Sequence, residues 1–231
     1  MINLFDAYEL RARFFPAILV LSPLIIPLIP TLQILDLTFS ETVYSLLVVF
    51  AVIYLWAMLL RFLSKKKEKQ IWSDWGGAPS TQVMMEKNPT FGSTTKQVIR
   101  EKILSEFKIE IVPGTEDEGQ RITESFVIVK ALFQNEKGLI FKHNCEYGFL
   151  RNLYGGYRLW WLSALVSIIL SGVLVWFYTS VISIISLIIS VLFLIIILLI
   201  SKKELENNLK RAAFLYAETT WMRYYHNKIK K

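Results

Sequence analysis

Two long stretches of this chain, residues 14–60 and 159–201, contain neither lysine nor arginine. Both are dominated by Leu, Ile, Val and Phe. A water-soluble chain distributes its core residues along its length, whereas a bilayer demands that they be segregated into blocks. Basic residues border each block: Arg11 and Arg13, then Arg61, Lys65, Lys66, Lys67 and Lys69; Arg151 and Arg158, then Lys202 and Lys203. The positive-inside rule places all four flanks on the cytoplasmic side, so each block must cross the membrane an even number of times. As a single helix, the 43 residues of the second block would span about 64 Å, roughly twice the ~30 Å hydrocarbon core. This block is therefore expected to be a hairpin with its turn near Tyr178–Ser183, although no Gly or Pro marks the place.

The expected fold is an all-α membrane protein with four transmembrane helices as two hairpins, residues 14–63 and 159–201. A mostly helical cytoplasmic domain, residues 64–158, lies between them. An interfacial amphipathic helix at 1–13 precedes the hairpins and a cytoplasmic helix at 202–231 follows. Membrane lipids are the first expected partners. The apolar run after Arg13 is too long for a cleavable signal and leads straight into a second span. The first span, about 14–35, carries Pro16, Pro23, Pro27 and Pro30. Each removes a backbone donor and frees a carbonyl one turn back. In lipid such carbonyls need partners, so the helix should be bent and packed against protein or water. A bent structural helix is the plainer reading, and a gating hinge the sharper one. A turn at Asp36–Ser40 follows, with Ser40 as N-cap and Glu41 in the first turn of the next helix.

In the central domain, helical spacing is expected over Lys96–Phe107 and about Thr115–Gln134, and a third helix over Leu139–Leu153. Residues 108–112 (KIEIV) alternate and suggest a short strand. The lone cysteine, Cys145, permits no intrachain disulfide. His143 and Cys145 are more simply structural than a chemical pair. No HExxH, P-loop or GxSxG pattern is present, so no catalytic constellation, metal site or cofactor is expected. No charged residue lies within the spans away from their ends, which disfavours a pump or ion-coupled transporter.

Ser163, Ser167 and Ser171 fall on one face of the third span. Ser180, Ser183, Ser186 and Ser190 fall on one face of the fourth. Hydroxyls are poor lipid-facing groups, so both stripes should face protein or water. Helix packing is the plainer explanation. Pore lining is the functional one, with Ser163, Ser167, Ser171, Ser183, Ser186 and Ser190 as candidate wall residues. The aromatics Tyr154, Tyr157, Trp160, Trp161, Trp176, Phe177 and Tyr178 read as interfacial belts at the two ends of the third span. Residues 61–158 hold 16 Lys and Arg against 12 Asp and Glu, and 202–231 hold 8 against 3. That excess follows from the positive-inside rule and suits anionic lipid. It also suits a phosphate-rich ligand, with aromatics available to stack bases. On that reading Trp72, Trp75, Lys142, Arg151 and Arg158 are the candidate ligand contacts.

Three segments carry a resemblance: Tyr8–Pro16 (YELRARFFP), Trp72–Thr81 (WSDWGGAPST) and Asn144–Gly155 (NCEYGFLRNLYG). With the four-span layout, they resemble the membrane effectors of the Hailong anti-phage defence system. The resemblance implies a tetrameric channel in the bacterial inner membrane, with N- and C-termini cytoplasmic. It further implies that a single-stranded DNA oligomer, made by a partner nucleotidyltransferase, holds the channel inactive. A ligand-gated homo-oligomeric channel is thus the leading expectation. The alternative is a non-enzymatic scaffold that recruits a soluble cytoplasmic partner to the membrane. A lipid-modifying enzyme is the weakest option, because no paired acid and base or metal cluster falls near the headgroups.

Overall fold

The computed structural model describes residues 6–35, 39–134 and 137–227. Among the described residues the chain is helical throughout, with no strand. It divides into two compact units. Met1–Lys67 with Gly148–Leu209 forms an apolar unit, and Glu68–Tyr147 with Lys210–Lys231 forms a polar one.

The apolar unit begins with α1 (Ala7–Glu9), a single wide π-turn (Leu10–Phe14) and α2 (Phe15–Ile25). There is no break between the N-terminal amphipathic segment and the first apolar helix. Asp6 caps α1, and Arg13 pairs with Glu9 one turn back while its guanidinium stands 5.7 Å from the Tyr8 ring. The chain turns at Ile26–Pro27 and resumes as α3 (Leu28–Leu35), which packs against the later helix α9 (Val181–Leu199).

The four prolines explain this break, and the carbonyl that each one frees has a partner. Pro16 would have bonded Ala12, whose carbonyl instead accepts from Asn152 Nδ2 at 2.6 Å. Pro23 frees Leu19, which accepts from Ser22 Oγ at 2.8 Å. Pro27 frees Pro23, which accepts from Ser167 Oγ at 2.5 Å and from the Ile26 amide at 3.3 Å. Pro30 frees Ile26, which accepts from the Ile29 amide at 3.3 Å. The bent helix is thus tied to its neighbours at the points where its own ladder fails.

The next helix, α4 (Phe39–Asp74), runs 36 residues. The expected turn residues Asp36–Thr38 and the Ser40 cap side chain lie outside the described residues. α8 (Leu139–Tyr178) runs 40 residues without interruption, so the helix expected over Leu139–Leu153 and the third apolar span are one rod. Thr179, with φ of 25°, and Ser180 make the whole connection to α9. Ser180 caps α9 by accepting from the Ser183 amide at 3.1 Å. The connection therefore falls where length alone placed it.

α4, α8 and α9 are each long and apolar enough to cross a membrane. On α9, Val181, Ile185, Ile188, Leu192, Ile196 and Leu199 are exposed along one face, while Ser183, Ser186 and Ser190 are buried on another. This reverses the soluble pattern and suits a helix solvated by hydrocarbon. Trp176, at 82% exposed, with Phe177 and Tyr178 forms an open aromatic cluster at the far end of α8, while Trp160 and Tyr154 are buried near its middle.

α10 (Lys202–His226) follows α9. From Lys210 onward it joins the polar unit with α5 (Pro79–Gln82), α6 (Ser93–Phe107) and α7 (Glu118–Leu132). The core of this unit gathers Ile99, Ile103, Ile122, Phe126 and Val129 around Trp221 and Tyr224, both fully buried. Trp221 donates from Nε1 to the Ser80 carbonyl at 2.9 Å, and Tyr224 donates to Glu106 at 2.8 Å. Burial and that carboxylate both push the Tyr224 phenol far up. Lys102 Nζ donates to the Tyr224 carbonyl at 2.7 Å, and so serves an orphan acceptor in the last turn of α10.

The strand expected at 108–112 is absent. Lys108 ends α6 in the left-handed conformation, φ 58°, with its amide on the Leu104 carbonyl at 3.1 Å. Ile111 is buried and its neighbours Glu110 and Val112 are exposed, so the alternation is present without a second strand to pair with. α7 begins at Glu118 rather than Thr115, because Gly114 turns with φ 77° and the Thr115 hydroxyl donates back to Val112.

Candidate functional site

The six serines proposed as pore wall are all buried inside the apolar unit. Ser163 donates to the Val20 carbonyl at 2.6 Å and Ser167 to the Pro23 carbonyl at 2.5 Å. Ser167 and Ser190 hydroxyls pair at 2.8 Å, Ser171 with Ser186 at 3.0 Å, and Ser171 with Ser190 at 3.2 Å. Ser183 pairs with Ser180 at 2.8 Å. The two stripes meet as one seam that joins α8 to α9 and to the broken helix α2. In this arrangement every hydroxyl has a partner within the chain, and none lines an open channel.

Small residues let the helices approach elsewhere. A Cβ on Gly156 would fall 2.5 Å from Leu60 Cδ2, and one on Gly148 would fall 2.7 Å from Ala12 Cβ. The Asn144–Gly155 segment is thereby accounted for as packing. Gly148 and Asn152 receive the N-terminal helix, and Gly155 receives α4 at Ser64. The Trp72–Thr81 segment is a helix stop and restart. Gly76 and Gly77 take φ of 90° and 125°, the Gly77 amide returns to the Trp72 carbonyl at 2.7 Å, and Pro79 opens α5.

The five candidate ligand contacts do not fall in one unit. Trp72, Trp75 and Lys142 belong to the polar unit, and Arg151 and Arg158 to the apolar one. Trp72 and Trp75 are half-buried and Lys142 is exposed. Lys210 Nζ stands 5.9 Å from the Trp75 ring and 6.0 Å from that of Phe214, a cation–aromatic cluster that sequence spacing alone does not reveal. Arg158 is exposed and groups with Lys67 and Lys202.

The polar unit also holds an open cavity of about 680 Å³. Phe91, Ile140, Leu215 and Met222 give it apolar walls, and Glu218 and His226 reach it. Burial holds the Glu218 carboxyl above its usual range. This volume falls within that of small-molecule sites, about 300–1,000 Å³. The sequence offered no sign of the cavity, because its lining comes from three separated segments.

Three charged groups of the polar unit are spent on structure. Lys96, 2% exposed, donates to the Met85 carbonyl at 2.7 Å and the Glu86 carbonyl at 3.2 Å. Arg100 bridges Glu86 at 2.9 Å and the buried Glu118 at 3.0 Å, and Glu118 also accepts from the Gly114 amide at 2.9 Å. His143 Nδ1 lies 2.8 Å from the Thr219 hydroxyl, which itself donates to Leu215. That hydroxyl is then the acceptor, and the imidazole proton sits on Nδ1. Cys145 is buried. Among the described residues no three His, Cys, Asp or Glu side chains group as metal ligands. The chain matches no known family model, no curated protein and no solved structure.

Proposed function

We propose that this protein is an oligomeric membrane channel-type effector, gated by a nucleic-acid or nucleotide ligand on its polar unit. The setting is the bacterial inner membrane, in four crossings, with both termini and the polar unit cytoplasmic. The observation that carries the reading is the serine seam, a continuous run of hydroxyls in the stretches of α8 and α9 that are otherwise apolar. Packing alone is served as well by alanine or glycine, which need no partners. Parting the seam would turn hydroxyls towards water, the lining a pore without charged residues requires. In the fourth crossing, α2 and α3 would act together, about 28 Å along their combined axis at 1.5 Å per residue. On the polar unit, Trp72, Trp75 and Lys142, with Lys210, offer stacking surfaces and cations for a phosphate-rich ligand. Arg151 and Arg158, on the apolar unit, are the remaining candidate contacts. An anti-phage role, a tetramer and a single-stranded DNA oligomer from a partner nucleotidyltransferase rest on the resemblance of the three segments.

A non-enzymatic scaffold is the second reading. It is favoured by the hydroxyls' being satisfied within one chain, which leaves no polar wall waiting for an oligomer. Ion flux in liposomes loaded with the purified full chain separates the two. The channel reading expects flux above that of empty liposomes and a change on adding a single-stranded oligonucleotide. Flux at the empty-liposome level under both conditions refutes it.

A further inference from the structure

We propose that Lys67, Arg158 and Lys202 form a binding site for a phosphate group carrying net negative charge, at the level where the apolar helices end. The three cations come from three helices of one unit. Lys67 lies one turn past Leu63, where the long apolar run of α4 ends. Arg158 directly precedes Leu159, where the apolar run of α8 begins, and Lys202 opens α10 just past Ile200. Lys67 Nζ donates to the Gly155 carbonyl at 3.2 Å, which sets it against α8 one turn from Arg158. Lys202 Nζ stands 5.4 Å from the Tyr154 ring. The Tyr157 hydroxyl donates to the Ile200 carbonyl at 3.1 Å and fixes the start of α10 beside α8. Glu206, one turn past Lys202, accepts from Tyr154 at 3.0 Å.

Charge within this cluster is unbalanced. The Lys67 ammonium is held below its ordinary value by burial first, then by Lys202 and then by Arg158. Like charges gathered by three rigid helices are relieved by an anion placed among them. Phosphate suits this set: a guanidinium binds it in a bidentate fork and ammonium groups meet it as point charges. A bilayer surface and the surrounding solution can both supply that chemistry. The position where the apolar runs of α4, α8 and α9 end favours a lipid headgroup. This site is independent of whether the protein conducts.

The test uses the detergent-solubilised full chain and native mass spectrometry of bound lipid. Phosphatidylglycerol should be retained about tenfold better than phosphatidylcholine, whose choline the three cations repel. Lys67→Gln/Arg158→Gln/Lys202→Gln should abolish the preference. Lys65→Gln/Lys66→Gln/Lys69→Gln removes equal charge from α4 alone and should keep it. Displacement by glycerol 1-phosphate shows that the phosphate suffices from solution, and failure to displace shows that the lipid chains contribute. If the first triple variant does not fold, Arg158→Gln and Lys202→Gln singly, both at exposed positions, should each weaken retention two- to threefold. Equal retention of the two lipids by the unaltered chain, or equal loss in both triple variants, overturns the site.

Discussion

Replacing Gly155 by alanine tests how closely α4 and α8 are packed. A Cβ at Gly155 would stand 2.8 Å from both Cα and Cβ of Ser64, and closer still to its hydroxyl. Ordinary carbon contacts lie at about 3.5–4.0 Å. A side chain could rotate away, but Ser64 Cα belongs to the backbone, so one helix must shift by about 1 Å. Overpacking of this kind costs about 1–3 kcal/mol, and contact with backbone belongs at the upper end. The alanine returns up to about 1 kcal/mol in helix propensity. The net expectation is a loss of about 2 kcal/mol. Gly172 lies on the same helix with nothing within 4 Å of its virtual Cβ, so Gly172→Ala keeps only the gain of about 1 kcal/mol. Two identical substitutions on one helix should therefore differ by about 3 kcal/mol in opposite directions. Thermal melting of the full chain in detergent, followed by circular dichroism, measures the difference. Ser64→Gly in the Gly155→Ala background should recover part of the loss, since it clears Cβ and Oγ but leaves Cα. If Gly155→Ala and Gly172→Ala melt together, the close approach of α4 and α8 is wrong.

Two further outcomes follow from the same geometry. Asn152→Ala should destabilise the chain by about 1–3 kcal/mol, the cost of orphaning a buried carbonyl, here that of Ala12; a melting temperature equal to that of the parent chain would refute the assigned role. The polar unit should lose stability in acid. Arg100 holds the Glu86 carboxyl below its ordinary value of 4.5, so its contribution is present above that value and fades as the pH falls through the folded-state one. Glu218 is held up by burial and works in the opposite sense: its contribution is complete below the ordinary value and is lost as the pH rises through the folded-state one. Melting curves from pH 3 to 8 should show a shallower acid decline in Glu86→Gln and a higher neutral-pH midpoint in Glu218→Gln, and unchanged curves would contradict both.

Regular apolar periodicity made much of the fold legible. The helices from Ser93 and from Glu118, the long C-terminal helix and the α8–α9 turn all follow from spacing and length. Features decided by a single partner were not legible. The alternation at 108–112 is strand-like, but a strand needs a second one beside it, and none is there. The four prolines announced a bend, but not that Asn152 and Ser167, more than a hundred residues later, would take two of the freed carbonyls. Nor did the sequence show that Gly155 and Gly156 are where α4 packs against α8. At the candidate sites the serine stripes were visible because they repeat at helical intervals. The grouping of Lys67, Arg158 and Lys202 was not, because it depends on how three helices pack against one another.

The seam and the prolines have one energetic consequence together. Bonds between helices that involve the seam hydroxyls run from Ser163 to Val20, from Ser167 to Pro23, from Ser167 to Ser190, from Ser171 to Ser186 and from Ser171 to Ser190. Side-chain hydrogen bonds inside membrane bundles contribute about 0.6 kcal/mol each on average, so five amount to roughly 3 kcal/mol. A ligand that binds one state about a hundredfold better than the other supplies about the same. An apolar seam would hold by packing alone and, once parted, would present a wall that excludes water. A charged seam would cost far more to bury. Hydroxyls lie between these limits: partnered when the helices are together, wettable when they are apart. The broken helix lowers the cost again, because α2 already lacks the backbone donors at Pro23 and Pro27, and water can serve the Pro23 carbonyl as readily as Ser167 does. On the channel reading, the same residues that close the bundle set an opening energy that a ligand on the polar unit can meet.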